Sequence, residues 1–290
     1  MTASARRKPV VGMFKWYGGK HYCAKWVVGM FPPHSIYVEP FFGSGKVFFR
    51  KTPSRIEVIN DINAEVTNYF EVLRDPESAC ELQRLLELTP YARDEFAAAL
   101  GSKMAKKTER ARNFMIRHCM GFAGKAKSPG HWGISRKIST PASFANKADL
   151  IPVAHERLRR TYIDNKDAKA VIRQWDGKET LFYLDPPYVH STRKSTDDYD
   201  CEMNDSDHLA LIELITGVRG MVIISGYENE MYHQLDDRGW EKRTRVAPLR
   251  CVNNAGRKRQ TRTECVWINP AASARLKNAA IELPVEAITK

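Results

Sequence analysis

The fold is decided by the stretch Leu181-Phe-Tyr-Leu-Asp-Pro-Pro-Tyr188, in which an apolar run meets an acid and two prolines. A short apolar and aromatic run of this kind predicts a buried strand. Because proline has no backbone N–H for a sheet ladder, the chain must leave the sheet as a stiff loop. In an open α/β sheet, ligands bind beyond the carboxyl ends of strands, so we expect chemistry at this loop.

Working outward, apolar, β-branched runs that end in loop-forming residues predict strands over 35–40, 55–61, 180–186, 221–226 and 263–269. The spacing i, i+3, i+4, i+7 predicts an amphipathic helix at Val66, Tyr69, Phe70 and Leu73. A second helix is predicted after the capping residues 205–207, with one face formed by Leu209, Ile212 and Ile215. Strands that alternate with helices indicate an α/β fold with a largely parallel sheet.

The segment 75–152 interrupts this alternation. It is rich in Leu, Glu and Ala at first, then turns basic and glycine-rich over 121–130, and it has few strand signals. We interpret it as an inserted, mostly helical domain. A discontinuous sheet domain then comprises 1–74 and 153–270, and a C-terminal tail comprises 271–290.

Composition bounds the function classes. In 290 residues, a hydrophobic content of 43% permits a substantial core, and a formal charge of +12 fits a phosphate polymer as partner. None of the six cysteines forms a Cys-x-x-Cys pair, which indicates reduced thiols and no metal site. No signal peptide or membrane-spanning run is recognisable, so we expect a cytoplasmic protein that does not contact a membrane.

A second motif, Val38-Glu-Pro-Phe-Phe-Gly-Ser-Gly45, places an acid and a glycine-containing turn after the first predicted strand. Glycine lets the backbone approach a ligand without an intervening side chain. Pro40 and Val47 break the Walker pattern, and Phe48 replaces the third glycine of a dinucleotide fingerprint. Taken alone, a Gly-x-Gly motif is more often just an ordinary turn.

Two further segments are suited to the same ligand. Asp61 follows the second predicted strand, where an acid commonly holds a ribose diol, while Asn63 is expected to cap the next helix. In Phe14-Lys-Trp-Tyr-Gly-Gly-Lys20, Lys20 is suited to neutralise a carboxylate and Trp16 to wall a pocket. The alternatives are that Asp61 is a helix cap and that the second segment is a plain N-terminal loop.

The parts of the 185–188 loop suit methylation of a conjugated amine, whose lone pair is delocalised into its ring. If Asp185 and the Pro186 carbonyl each accept an N–H bond, the nitrogen is drawn toward tetrahedral geometry and its lone pair faces a sulfonium methyl. Tyr188 is suited to stack on a base, a contact of about 1–3 kcal/mol. The alternative is a strand-ending turn whose tyrosine packs on the core.

Taken in order from Lys15 to Tyr188, these motifs resemble the Dam-type, class alpha (D12) adenine-specific DNA methyltransferases, with weaker matches at 225–227 and 263–268. The resemblance implies a Rossmann-like, S-adenosylmethionine-dependent methyltransferase sheet with an inserted target-recognition domain. It also implies methyl transfer to the exocyclic 6-amino group of an adenine flipped out of double-stranded DNA.

The resemblance assigns residues to roles. The catalytic loop is Asp185, Pro186, Pro187 and Tyr188. The cofactor-binding residues are Trp16, Lys20, Glu39, Pro40, Phe41, Gly43, Gly45, Asp61, Asp167 and Asp185. For Asp167, a surface acid ahead of a helix is the alternative. From the basic insert and a second basic run, the predicted DNA contacts are Lys125, Lys127, His131, Trp132, Arg136, Lys137, Arg257 and Arg259.

The insert departs from family members that read GATC, because it lacks their Arg-Tyr-Asn and Phe-Asn-x-Pro segments, so a GATC site is not implied. Alternative functions are amino-group methylation of RNA or protein glutamine, commonly with Asn at the position of Asp185, and an inactive DNA-binding relative. Cytosine carbon-5 methylation is disfavoured because the chain has no Pro-Cys pair. A monomer would suffice to contact a short DNA site. We expect the protein to be encoded by a bacterium or a phage, and it is left open whether a partner restriction endonuclease exists.

Overall fold

The computed structural model describes residues 12–16, 20, 22–101, 106–121, 131–188, 203–248 and 261–282. The strands of these residues are β1 (Ile36–Glu39), β2 (Ile56–Asn60), β3 (Thr161–Asp164), β4 (Thr180–Leu184), β5 (Met221–Gly226), β6 (Glu241–Pro248) and β7 (Thr261–Ile268). The helices are α1 (Ala24–Val28), α2 (Ala64–Arg74), α3 (Pro76–Glu87), α4 (Arg93–Gly101), α5 (Lys107–Met120), α6 (Thr140–Ala145), α7 (Ile151–Leu158), α8 (Ala168–Trp175), α9 (Asp205–Thr216), α10 (Glu230–Asp236) and α11 (Pro270–Glu282). None of them is long and apolar enough to cross a membrane.

The chain divides into two compact units. The sheet unit comprises Tyr22–Phe42, Thr52–Ile62 and Lys166–Lys290, and the helical unit comprises Met1–His21, Gly43–Lys51 and Asn63–Asn165. The sheet unit contains six of the described strands, in a mixed sheet with the order β2-β1-β4-β5-β7-β6. The four from β2 to β5 in this order are parallel, whereas β7 is antiparallel to both β5 and β6. The predicted Rossmann-like α/β class is confirmed.

The five predicted strands are all present. The strand predicted over 221–226 has those bounds, and the other four differ by one or two residues at one or both ends. Sequence reasoning missed β3 and β6. In β3 only Thr161 is buried, and four consecutive residues of β6, 243–246, are exposed, so neither strand carries an apolar signal.

The core of the sheet unit forms on the central strands, because every residue of β4 and β5 is buried. Strands buried on both faces are expected to read as continuous apolar runs, as these do. Helix α9 begins at Asp205, three residues earlier than predicted, because its N-cap is Asn204, which forms a capping box with Asp207. Its predicted face was wrong at Leu209, which is 48% exposed. The buried face begins one residue earlier, with His208, Leu211, Ile212 and Ile215.

The helical unit confirms the predicted helical character of the insert. Its helix α2 buries the predicted stripe of Val66, Tyr69, Phe70 and Leu73. The Asn63 side chain accepts a hydrogen bond from the Glu65 amide, so the predicted N-cap is confirmed. Helices α3 to α6 lie within the predicted insert, 75–152, whereas the compact unit is larger and also includes α2, α7 and β3. The glycine-rich part, 122–130, lies outside the described residues.

The segment predicted as a tail begins with helix α11. Asn269 Oδ1 accepts hydrogen bonds from the amides of Ala272 (2.9 Å) and Val222 (3.0 Å), which joins the start of the helix to β5. Ala272 is fully buried, and the Arg275 guanidinium contacts both carboxylate oxygens of Glu179. Most of the segment predicted as a tail, Pro270–Glu282, is therefore a helix attached to the sheet unit.

Candidate active site

Acidic side chains collect at one edge of the sheet unit. The parallel strands β1, β2 and β4 are in register at Val38, Val58 and Phe182, so their carboxyl ends lie at the same edge. The chain adds β2 on one side of β1 and then returns to add β4 on the other, which makes this edge a topological switch point. Glu39 ends β1, Asp61 follows β2, and Asp185 follows β4.

Glu39 is buried and oriented by its own strand. Tyr37, two residues earlier and therefore on the same face of β1, donates its hydroxyl to Glu39 Oε2 over 2.7 Å. Burial, reinforced by the nearby Glu39 carboxylate, raises the pKa of Tyr37 well above its ordinary value. The phenol therefore keeps its proton and holds the carboxylate in one orientation.

Asn60 organises the loops around these acids, and sequence reasoning missed it. Its Nδ2 donates to the carbonyls of Pro40 and Lys166, each over 3.0 Å, and its Oδ1 accepts from the Lys166 amide over 2.9 Å. Its backbone carbonyl accepts from the Phe42 amide over 3.0 Å. The usable signal was a strand-final asparagine, a residue type that is depleted in strands.

Asp167 follows immediately and caps α8. Its Oδ1 accepts from the amides of Lys169 (2.9 Å) and Ala170 (3.2 Å), and the side chain is exposed. The alternative reading of an acid ahead of a helix is thus present in the structure. A cofactor contact by Asp167 stays a prediction.

The loop after β4 is packed rather than open along its length. Asp185 and Pro187 are half-buried, Pro186 is buried, and Tyr188 is 7% exposed. The Tyr188 hydroxyl donates to Glu264 Oε1 over 2.6 Å. Burial, followed by the charges of Asp185 and Glu264, raises the pKa of Tyr188 well above its ordinary value, so the phenol is protonated. Sequence reasoning did not assign Glu264 to the site.

In the helical unit, two predicted cofactor residues are in contact. Gly43 has φ +50°, and a Cβ added there would lie 2.7 Å from the indole Nε1 of Trp16. Gly45 has φ +66°, which is also left-handed. Both glycines are therefore required by backbone conformation, and Gly43 also by the close approach of Trp16. Lys20 is buried.

The last turn of α5 supports the same N-terminal segment. The His118 ring lies 5.3 Å from the ring of Trp16 and 5.6 Å from that of Phe14, measured between centroids. Lys15 Nζ donates to the Cys119 carbonyl over 3.2 Å. Sequence reasoning missed His118, because nothing local indicates that it contacts residues about a hundred positions earlier.

The predicted DNA contacts that the structure describes cluster after α5. Trp132 is half-buried, with the Arg93 guanidinium 4.6 Å from its ring centroid, and the Gly133 amide donates to the Met120 carbonyl over 2.7 Å. Arg136 and Lys137 are exposed, and His131 is half-buried. Lys125, Lys127, Arg257 and Arg259 lie outside the described residues.

Two exposed apolar side chains flank these cations, and sequence reasoning did not single them out. Ile134 is 69% exposed and Ile138 is 66% exposed. Ser135 Oγ accepts from the amides of Lys137 (3.2 Å) and Ile138 (3.3 Å), which closes a tight turn. We refer to residues 134–138 as the basic turn.

Comparison with known proteins decides the family. Residues 16–247 match the D12 class N6 adenine-specific DNA methyltransferase family. The chain belongs to this family. The match extends from Trp16 into β6 and so includes the 185–188 loop, the glycine motif and the helical insert. The resemblance inferred from the order of the motifs is confirmed.

Two relatives match this chain over only part of their own length. The chain is 24% identical over 266 residues to the DNA N-6-adenine-methyltransferase of Escherichia phage P1, covering 86% of this chain and 34% of that protein. It is 30% identical over 193 residues to the Type II methyltransferase M1.LlaDCHI of Lactococcus lactis subsp. cremoris, covering 60% of this chain and 64% of that protein. The chain thus spans about a third of the first relative and under two thirds of the second.

Among solved structures, an rRNA methylase from Streptococcus thermophilus aligns over 92% of this chain and 98% of its own. The TM-score is 0.34 and the identity is 10%, a likeness too low to bear on the fold. Membership of the D12 family therefore rests on the family match, and the fold rests on the strand order.

Proposed function

We propose that this chain transfers a methyl group from S-adenosylmethionine to the 6-amino group of adenine in double-stranded DNA. The observation that carries the proposal is the Asp185–Tyr188 loop at the carboxyl end of β4, beside the switch point, in a chain that matches the D12 family. Ligands of open α/β sheets bind at this place.

Asp185 and the Pro186 carbonyl are the proposed acceptors for the two N–H bonds of the adenine amino group. Two fixed acceptors would draw the nitrogen toward tetrahedral geometry, so that its lone pair becomes available for the new N–C bond while the methyl–sulfur bond of the sulfonium breaks and a thioether leaves. The amino group must lose one proton in the reaction, and the half-buried Asp185 carboxylate is a suitable acceptor. The proposed role of Tyr188 is to stack on the base.

The residues present fit S-adenosylmethionine, which when bound supplies an electrophilic methyl group. In the sheet unit, buried Glu39 and Asp61 offer carboxylates suited to an ammonium group and a ribose diol, and Asp167 is assigned to the adenine. Pro40 and Phe41 are assigned to the methionine part. In the helical unit, the left-handed glycines 43 and 45 leave backbone accessible, with Trp16 and buried Lys20 as further contacts.

The proposed attraction for DNA phosphates comes from the net charge of +12, and the exposed side chains of Arg136 and Lys137 are proposed phosphate contacts. An adenine inside a duplex hides its amino group, so the enzyme would act on a flipped base. His131 and Trp132 are assigned to base contacts or to a wedge. The proposed contacts outside the described residues are Lys125, Lys127, Arg257 and Arg259.

The biological setting is proposed as a cytoplasmic, monomeric enzyme. A relative is named as a type II methyltransferase, which favours a restriction–modification setting and a partner restriction endonuclease. If that setting is right, DNA modified by this chain should resist one restriction activity from the same source. DNA that is modified yet cleaved by every such activity would indicate a solitary methyltransferase.

The test is expression of the full chain in a bacterial host without DNA methylation, followed by long-read sequencing that detects modified bases. We expect 6-methyladenine in one recurring sequence motif. Unmodified DNA from cells that contain soluble protein would reject the proposal. An in vitro assay with labelled S-adenosylmethionine and RNA or protein would then separate the alternative amino-group substrates from an inactive DNA-binding relative.

A further inference from the structure

The hydrogen bond between Tyr188 and Glu264 connects the loop after β4 to a strand that is not its neighbour. In the sheet order, β5 lies between β4 and β7, and Glu264 belongs to β7. The bond is 2.6 Å long and joins two buried side chains, 7% and 6% exposed. This length is typical of an O–H donor paired with a carboxylate, which is among the stronger hydrogen bonds in proteins.

The strand that carries Glu264 is held on both sides. It pairs with β5 through Cys265 opposite Gly226 and with β6 through Glu264 opposite Arg245. Tyr227, the first residue after β5, lies edge-on to the Tyr188 ring with centroids 4.3 Å apart. The carboxylate is therefore mounted on a rigid strand, and an aromatic ring packs beside the bond.

The two prolines of the loop limit the movement of the backbone between Tyr188 and Asp185. Proline fixes φ near −65°, so Pro186 and Pro187 leave the short loop with few ways to move. One end of the loop continues β4, all of whose residues are buried, and the other end is tied to Glu264 through the Tyr188 hydroxyl. With both ends held, the backbone at Asp185 has little freedom to move.

We propose that Glu264 is a positioning residue for methyl transfer, which acts through the Tyr188 hydroxyl to hold Asp185 in place. The inference rests on the proposed function of the loop. Glu264 contacts neither substrate in this scheme, and its task is to keep the acceptor oxygen of Asp185 aligned. A misplacement of about 1 Å in such a group lowers turnover by about 10²-fold.

The experiment compares Glu264→Ala, Glu264→Gln, Tyr188→Phe and the double variant Glu264→Ala/Tyr188→Phe in steady-state kinetics. We expect Glu264→Ala and Tyr188→Phe each to lower kcat about 10- to 100-fold, with KM for S-adenosylmethionine and DNA nearly unchanged. Tyr188→Phe keeps the ring for stacking and removes only the hydroxyl. Glu264→Gln keeps an acceptor oxygen and should restore most of the turnover. In the double variant, the second substitution should add little.

The matched control is Tyr183→Phe, which removes an equally buried phenol that bonds to Ser225 over 2.9 Å. This variant should retain turnover, since the lost bond joins β4 to β5 within the sheet and does not involve the loop 185–188. The proposal is overturned if Glu264→Ala turns over like the wild type, if Glu264→Gln is as impaired as Glu264→Ala, or if the two effects multiply in the double variant.

Folding does not confound these outcomes. If Glu264→Ala fails to fold, the variants Glu264→Gln and Tyr188→Phe still test the proposal. Full turnover by Tyr188→Phe would overturn it. Failure of the proposed function gives a different result, since the wild type itself would then leave adenine unmodified.

Discussion

Polar groups are buried and hydrogen-bonded at the carboxyl edge of the sheet, whereas they are exposed in the basic turn. At the sheet edge, Asn60 and Glu39 are buried and hydrogen-bonded to protein partners over 2.7 to 3.0 Å. In the basic turn, Arg136 and Lys137 are exposed, and exposed Ile134 and Ile138 flank them. In the first region the polar groups are paired within the protein, whereas in the second region charged and apolar side chains are exposed.

This difference predicts which kinetic constant each region controls. A buried, hydrogen-bonded site keeps its geometry through the reaction, so damage to it should lower kcat or the affinity for S-adenosylmethionine. Exposed cations gain energy by releasing counterions from DNA, so their loss should weaken DNA affinity and its salt dependence instead. Three substitutions test whether the two regions separate in this way.

The largest effect is expected for Asp185→Ala at the sheet edge. Loss of one acceptor that orients the amino group should lower kcat by about 10²–10³-fold, since removal of a single preorganised hydrogen bond in an active site commonly reduces turnover by this factor. Single-turnover assays would measure the rate, and calorimetry would measure the affinities for S-adenosylmethionine and DNA. Affinity for DNA should stay near that of the wild type, and affinity for S-adenosylmethionine should fall far less than kcat. Asp237→Ala, at an exposed helix end, is the control, and turnover retained by Asp185→Ala would break the comparison.

An intermediate effect is expected for Asn60→Ala. The substitution leaves the Lys166 amide and the carbonyls of Pro40 and Lys166 without their present partner, and a buried polar group without a partner costs about 1–3 kcal/mol. The free energy of unfolding in urea should fall by this amount. Because the loops beside Glu39 and Asp61 would shift, affinity for S-adenosylmethionine should fall about tenfold, or 1.4 kcal/mol.

The control for this variant is Asn68→Ala, since Asn68 is equally buried and bonded to Lys107 and Arg110 within the helical unit. It should lose comparable stability and keep its affinity for S-adenosylmethionine. Equal loss of cofactor affinity in both variants would mean that Asn60 acts only on stability.

The smallest effect is expected for Arg136→Gln in the basic turn. DNA affinity should fall a few-fold, and the slope of log affinity against log salt should decrease by about 0.9, the value for one phosphate contact. Fluorescence anisotropy at several salt concentrations measures both quantities, while kcat at saturating DNA should not change. Arg84→Gln on α3 provides a control of equal charge change, and an unchanged slope in Arg136→Gln would exclude a phosphate contact.

Local sequence predicted the strand exits well because each exit is written in adjacent residues. The apolar run 181–184 ends where Asp185 and two prolines begin, and the same logic located Glu39 and Asp61. The cap at Asn63 and the capping box of α9 were also predictable, since both involve residues within three positions of one another. The edge strand β6 was not predicted, because its exposed, basic residues lack apolar periodicity.

Local sequence patterns were enough to predict the α/β class, the family and the motif residues, because hydrophobic runs, prolines and glycines act over a few positions. The hydrogen-bond partners of the site residues depend instead on how distant segments come together. Asn60 meets Lys166 across 106 positions, and Tyr188 meets Glu264 across 76. The second pairing depends on β7 inserting between β5 and β6, an order reversed from that of the chain. Long-range hydrogen bonds of this kind follow from strand order, which no local pattern specifies.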